Sequence, residues 1–213
     1  MAIVKNGVFG TIFGKIGNII GYSLNGKQVF RSMSRKRTKP PTFVQQGHQM
    51  RFGLVVHFLT PLNSLINKGY GNGKGKISQF NQCVAYHIKN GVKGIFPDLE
   101  IDYSKVVLTT GRLSGAHNGE VFSDGSASLN FSWIESLRSG MDGGTDNVIP
   151  VVYNPSKDRH EFLRTISDRA SQCAVLNVPM EFSGDTVHCW LVFISADGKD
   201  FSTSSYLGTV TVA

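Results

Sequence analysis

The sequence predicts an α+β chain: a basic N-terminal β-hairpin plus short helices over residues 1–100, followed by an all-β sandwich over residues 101–213. Three observations predict it. The first acidic residue is Asp98, so residues 1–97 hold 14 Lys and Arg and no Asp or Glu, while residues 98–213 hold 8 basic and all 15 acidic residues. Charged residues make up only 17% of the chain and there are 24 glycines, a balance that suits short strands and turns better than long solvated helices. From about residue 105 the apolar residues recur at every second position, the period of a strand with one buried face.

Residues 1–37 read as extended structure. Glycines at 7, 10, 14, 17 and 21 would each weaken a helix by about 1 kcal/mol. Asn25-Gly26 between two apolar runs is a two-residue hairpin signal, because both central positions of a type I′ turn need positive φ. Strands are therefore expected near 17–23 and 27–33. A basic cluster of Arg31, Arg35, Lys36, Arg37 and Lys39 then runs into Pro40-Pro41, which ends regular structure.

Apolar residues from Phe52 to Ile66 recur at helical spacing, and Pro61 is expected to kink or split that helix. A Gly/Lys-rich loop over 69–76 separates it from a second helix, with Ile77, Phe80, Val84 and Ile88 on one face and Gly91 closing it. Two short helices and a hairpin make too small a core alone, so they must pack on the rest of the chain or on another subunit.

Strands are expected at 105–109, 127–133, 148–153, 160–165, 173–178, 186–195 and 204–212. Turn signals lie at Asp124-Gly125, Asp142-Gly143-Gly144, Asn154-Pro155 and Asp197-Gly198. Val187, Cys189, Leu191 and Phe193 alternate with Trp190, Val192 and Ile194, so that strand is expected to be buried on both faces. Seven short strands at this spacing argue for an immunoglobulin-like sandwich.

Ser128-Leu129-Asn130-Phe131-Ser132-Trp133 resembles the second strand of fibronectin type III domains with its core Trp. Thr186 to Phe193, followed by Ser195-Ala196-Asp197-Gly198, resembles their penultimate strand and final hairpin, without the tyrosine expected early in that strand. The resemblance covers about half the chain. The segments Lys5-Asn6-Gly7, Gly14-Lys15-Ile16-Gly17-Asn18, Gly26-Lys27-Gln28, Ile101-Asp102-Tyr103-Ser104-Lys105 and Tyr206 to Val212 resemble a Bacteroidetes family, phage-associated, known only as a domain of unknown function. That resemblance spans the full length and implies a bacterial or phage origin without an activity.

Motifs for chemistry are weak. Gly21 to Gln28 approximates a phosphate loop, but Gln28 stands where a hydroxyl should and no helix is expected to follow. Cys83, Cys173 and Cys189 are odd in number and without CxxC spacing, so free, buried thiols are expected rather than a disulfide or zinc site. No two of the six histidines have metal-ligand spacing with a carboxylate; His57 and His87 are expected as packed or surface residues of helices. Asp158-Arg159-His160-Glu161 could be drawn as an acid/base cluster, but following Asn154-Pro155 it reads as a turn rim. No catalytic, cofactor or metal residue is assigned. No stretch reaches 18 apolar residues, so no membrane-spanning helix is expected. No signal peptide is read, which makes a cytoplasmic or virion location the expectation.

The expected function is a non-enzymatic, self-associating structural subunit, of a phage virion or another bacterial assembly. The alternative is a nucleic-acid-binding accessory protein using the basic half. Candidate polyanion contacts are Lys15, Lys27, Arg31, Arg35, Lys36, Arg37, Lys39, Arg51, Lys74 and Lys76. Phe30 beside Arg31, Phe52 beside Arg51 and Tyr70 could stack on bases, although Phe30 and Phe52 are expected in the core.

Overall fold

The computed structural model describes residues 3–5, 10–24, 26–35, 38–71, 77–125, 127–134, 143–162 and 167–213. They form two compact units, residues 1–43 and 44–213. The sequence places the boundary at 100/101 instead. The difference has a physical reason, since the helices after residue 43 share one apolar cluster with the sandwich.

The first unit is a four-stranded antiparallel meander of β1 (Ile3–Lys5), β2 (Thr11–Ile16), β3 (Ile19–Leu24) and β4 (Lys27–Ser32). The hairpin expected around Asn25-Gly26 is β3–β4, with Leu24 opposite Lys27 and Gly26 at φ 76°; Asn25 lies outside the described residues. β3 starts at 19 rather than 17, because Gly17, at φ 54°, makes the turn from β2. Register sets the two faces. Lys15, Ile20 and Arg31 oppose one another across three strands, as do Gly14, Gly21 and Phe30. A Cβ on Gly21 would lie 2.6 Å from the Ile12 carbonyl oxygen, which the Gln28 amide already approaches to donate at 2.7 Å.

The second unit opens with α1 (Phe43–Leu59), a 3-10 helix (Thr60–Leu62) and α2 (Asn63–Gly69). Pro61 causes the break, since it sits where a helix start needs no N–H. α3 (Gln79–Asn90) begins at Ser78, whose hydroxyl accepts from the Asn81 N–H at 3.3 Å, and ends at Gly91. A hairpin of β5 (Val92–Ile95) and β6 (Asp98–Ile101) follows around a cis Phe96–Pro97 bond.

The strand expected at 105–109 is not one. Side chains hold part of its backbone: Leu108 N–H donates to Ser204 Oγ at 2.9 Å and Val107 N–H to His87 Nε2 at 3.2 Å. His87 is fully buried, and its other ring nitrogen donates to the Cys83 carbonyl at 2.8 Å, which fixes the tautomer. Burial lowers its pKa.

The sandwich strands are β7 (His117–Ser123), β8 (Ser128–Ile134), β9 (Asn147–Asn154), β10 (Arg159–Phe162), β11 (Cys173–Asn177), β12 (Thr186–Ile194) and β13 (Ser205–Thr211). They form antiparallel sheets in the orders β11-β8-β7 and β10-β9-β12-β13, a three-on-four fibronectin type III-like layout. The chain is α+β, with an all-β sandwich in its C-terminal half. β7 was not expected from the sequence; the other six strands lie within a few residues of their expected places.

β12 is the wall between two apolar clusters. Val187, Cys189, Leu191 and Phe193 face the sandwich interior with Phe131, Trp133 and Phe182. Trp190, Val192 and Ile194 face the helices with Val55, Phe58, Leu62 and Ile66. Each large apolar side chain buried this way contributes about 1.5–3 kcal/mol. The helices of the basic half therefore pack on this chain's own sheet. Cys83 and Cys189 are buried free thiols as expected, whereas Cys173 is exposed at the start of β11.

One charged pair lies in this interior. Arg169 Nε meets Asp146 Oδ2 at 3.1 Å, with side-chain exposures of 2% and 4%. The guanidinium donates to the Ser114 carbonyl at 3.0 Å and lies 4.0 Å over the Phe193 ring, while Trp133 Nε1 donates to the Arg169 carbonyl at 2.9 Å.

Candidate functional site

α1, the β5–β6 hairpin and the β9–β10 turn enclose a cleft of about 370 Å³. α1 places Leu54, His57 and Phe58 at its wall, a spacing of three and four that shares one helix face. The hairpin supplies Leu99, Glu100 and Ile101, the turn after it supplies Tyr103, and β9 supplies Tyr153. Asp158 enters from the β9–β10 turn in the left-handed region at φ 49°. Asn154 fixes that turn, its Oδ1 accepting from the N–H groups of Ser156 at 2.9 Å and Lys157 at 3.3 Å.

Asp158 is the polar centre. Tyr153 donates its hydroxyl to Oδ1 at 2.9 Å, and His57 Nδ1 lies 3.5 Å from Oδ2. Burial raises the pKa of Tyr153, and its bond to Asp158 raises it further. Burial also raises Tyr103. Glu100 stands at the rim, 73% exposed and 3.4 Å from Lys93.

Aromatic rings continue beneath. Phe58 meets Tyr153 edge-on at 5.0 Å and Tyr103 at 6.0 Å. Tyr103 stacks on His188 at 3.9 Å, and His188 Nδ1 is bonded to the Tyr206 hydroxyl at 2.8 Å. His160 sits 4.9 Å from Phe58 and 4.4 Å from Tyr153, with both ring nitrogens enclosed and without a hydrogen-bond partner. Burial pushes its pKa down to about 4, against a smaller opposing effect of Asp158.

The run 158–161 is thus not a converged acid/base set. Asp158 faces the cleft, Arg159 pairs with Glu161 at 2.9 Å, and His160 packs inward rather than standing on the turn rim. Among the described residues no group of three or more His, Cys, Asp or Glu side chains is placed to hold a metal. What the cleft offers is π faces, an apolar floor and two carboxylates.

A family of unknown function, DUF6266, matches residues 10–208. The chain belongs to DUF6266. No curated protein matches it. Among solved structures, the fibronectin type III domain of the human collagen alpha-1(XX) chain is 17% identical, with a TM-score of 0.36, over 49% of this chain and 90% of that one. The FN5 domain of Drosophila Lar is 12% identical, with a TM-score of 0.32, over 47% and 97%.

In this DUF6266 chain six of the ten cations named from sequence lie among the described residues. Lys15, Lys27, Arg31, Arg35 and Lys39 are exposed in the first unit, and Arg51 is half-buried on α1. Lys36, Arg37, Lys74 and Lys76 lie outside the described residues. Register puts Lys15, Lys27 and Arg31 on one face of the β1–β4 sheet, with Arg31 5.9 Å over the Tyr22 ring. Phe30 and Phe52, expected in the core, are 54% and 55% exposed, whereas Tyr70 is buried.

Other cations were missed. Lys68, Arg112 and Lys199 line a second hollow of about 300 Å³ with Gln79, Thr110 and Asp200. They are far apart in the chain, and no local pattern joins them. No described helix is long and apolar enough to cross a membrane.

Proposed function

We propose that this DUF6266 protein is a non-enzymatic structural subunit that self-associates through its N-terminal sheet, in a phage virion or another bacterial assembly. The carrying observation is the sheet's exposed apolar surface. Ile16, Ile19 and Phe30 are each about half exposed on one face, and the buried apolar residues among those described all lie in the other unit. Four short strands need an apolar face covered to be stable. Ile16 and Ile19 oppose one another across β2 and β3, on the same face as Phe30, so a second copy could cover them together. Exposed patches of this kind mark contact surfaces.

Light scattering on the full-length protein tests this. The wild type should be larger than its 23.3 kDa chain at both low and high salt. Ile19→Lys with Phe30→Glu should shift it to a monomer without changing the melting of the sandwich. A wild type that is monomeric throughout the micromolar range sinks the proposal.

The opposite face supports a second reading, contact with nucleic acid. Lys15, Lys27 and Arg31 around Tyr22 combine phosphate contacts with a stacking ring. Binding by this face would weaken linearly in log salt, with about one unit of slope per phosphate neutralised.

A further inference from the structure

We infer that the cleft between α1, the β5–β6 hairpin and the β9–β10 turn is a receptor for a lysine or arginine side chain, presented by the N-terminal unit of a second copy of this chain. The inference rests on the self-association reading for the presence of a second copy, whose cationic face stays free when its apolar face is covered, and on the cleft itself for the chemistry.

The chemistry follows from the lining. Leu54, Phe58, Leu99 and Ile101 give an apolar floor that suits the methylene stem of a long cationic side chain. Tyr103, partly exposed and stacked on His188 through one face, offers its ring to the charged head, while Tyr153, 7% exposed, holds Asp158 through its hydroxyl. Asp158 and Glu100 supply carboxylate oxygens; Tyr153 orients Asp158, and the tight turn at Asn154 holds its backbone. His57 beside Asp158 is 72% exposed at a 3.5 Å contact, a geometry that leaves the carboxylate open to a stronger partner. The volume of about 370 Å³ accommodates one long side chain.

Charge identifies the occupant. Residues 1–43 hold eight Lys and Arg and no carboxylate. Three of those cations, Lys15, Lys27 and Arg31, share one face of the sheet and are exposed. A basic face on one copy and an acidic, aromatic cleft on the next are complementary surfaces of different parts of the molecule, the head-to-tail kind of contact that extends into rings or filaments.

The test uses the full-length protein in two arms. Self-association is measured by sedimentation for the wild type, for Asp158→Asn/Glu100→Gln, and for Glu100→Lys, which reverses the charge at an exposed hairpin position and sets a second cation opposite Lys93. N-acetyl-arginine amide is then added as a competitor, with the neutral citrulline analogue as control. The expected result is association at least tenfold weaker in both variants, with unchanged melting, and dissociation of the wild type by the arginine compound alone. Association unchanged in both variants overturns this inference and leaves self-association standing. Equal competition by the citrulline analogue overturns the cation as the recognised group. A monomeric wild type overturns both this inference and the reading on which it rests.

Discussion

Asp146→Ala is expected to lower the unfolding free energy of the second unit by about 3–5 kcal/mol, measured by urea denaturation at pH 7. The substitution leaves the Arg169 guanidinium, 2% exposed, inside the sandwich without its carboxylate. The remaining acceptor, the Ser114 carbonyl, and the Phe193 ring beneath it cannot neutralise a full charge. Asp146 also accepts from the Gly143 N–H at 3.2 Å, so the loop leading into β9 loses an anchor. A domain of this size has about 5–15 kcal/mol in total, so the variant should be near its threshold at 37 °C. Replacing both residues, Asp146→Leu with Arg169→Met, should recover most of the loss, because the penalty belongs to the orphaned charge more than to the missing bond. A loss below about 1 kcal/mol for the single change would show that Arg169 reaches water.

Acid sensitivity centred on His160 is the second large effect. In the folded state burial pushes its pKa down to about 4 from the ordinary 6.5. As pH falls between those values the unfolded chain takes up a proton that the folded chain does not. Stability is therefore full above the ordinary value and declines toward the folded one, by up to about 3 kcal/mol for this group. His188 and His87, both lowered chiefly by burial, add slope of the same sign. His160→Phe should remove the His160 share and leave theirs. It should also stabilise the protein at pH 7 by about 1–2 kcal/mol, since both ring nitrogens are enclosed without partners. His160→Leu guards against overpacking between Phe58 and Tyr153. Melting curves from pH 4.5 to 7.5 decide the matter. An acid limb as steep in both variants as in the wild type would exclude His160 as its source.

Much of the scaffold is legible in the chain because the relevant patterns are local. The two interleaved apolar sets of β12 predict a strand covered on both sides, and the structure supplies the covers. Pro61 predicts the break between α1 and α2 because no interior helical position tolerates it. The segment at 105–109 alternates like a strand, yet two of its N–H groups go to Ser204 and His87 side chains, which no periodicity encodes. β7 was missed because His117-Asn118-Gly119-Glu120 carries little apolar signal, and the strand is irregular between His117 and Glu120.

Phe30 and Phe52 were misplaced because an aromatic residue in an apolar run is usually covered, and these two are not. The cleft was illegible for a different reason. Its residues come from three stretches, 54–58, 99–103 and 153–158, which only the packing of helices on the sheet brings together. Asp158 and His160, separated only by Arg159, take different surroundings because Asp158 belongs to the turn, at φ 49°, and His160 to β10.

An antiparallel sandwich whose outer faces are polar can stand as a module closed upon itself. β12 removes that freedom here. With Trp190, Val192, Ile149 and Val151 turned toward α1 and α2, the four-stranded sheet has no outer surface fit for water. Cut free at residue 101, the sandwich would carry a bare apolar flank the breadth of a sheet and would precipitate or recruit a substitute. The helices and the sandwich therefore stand or fall together as one folding piece.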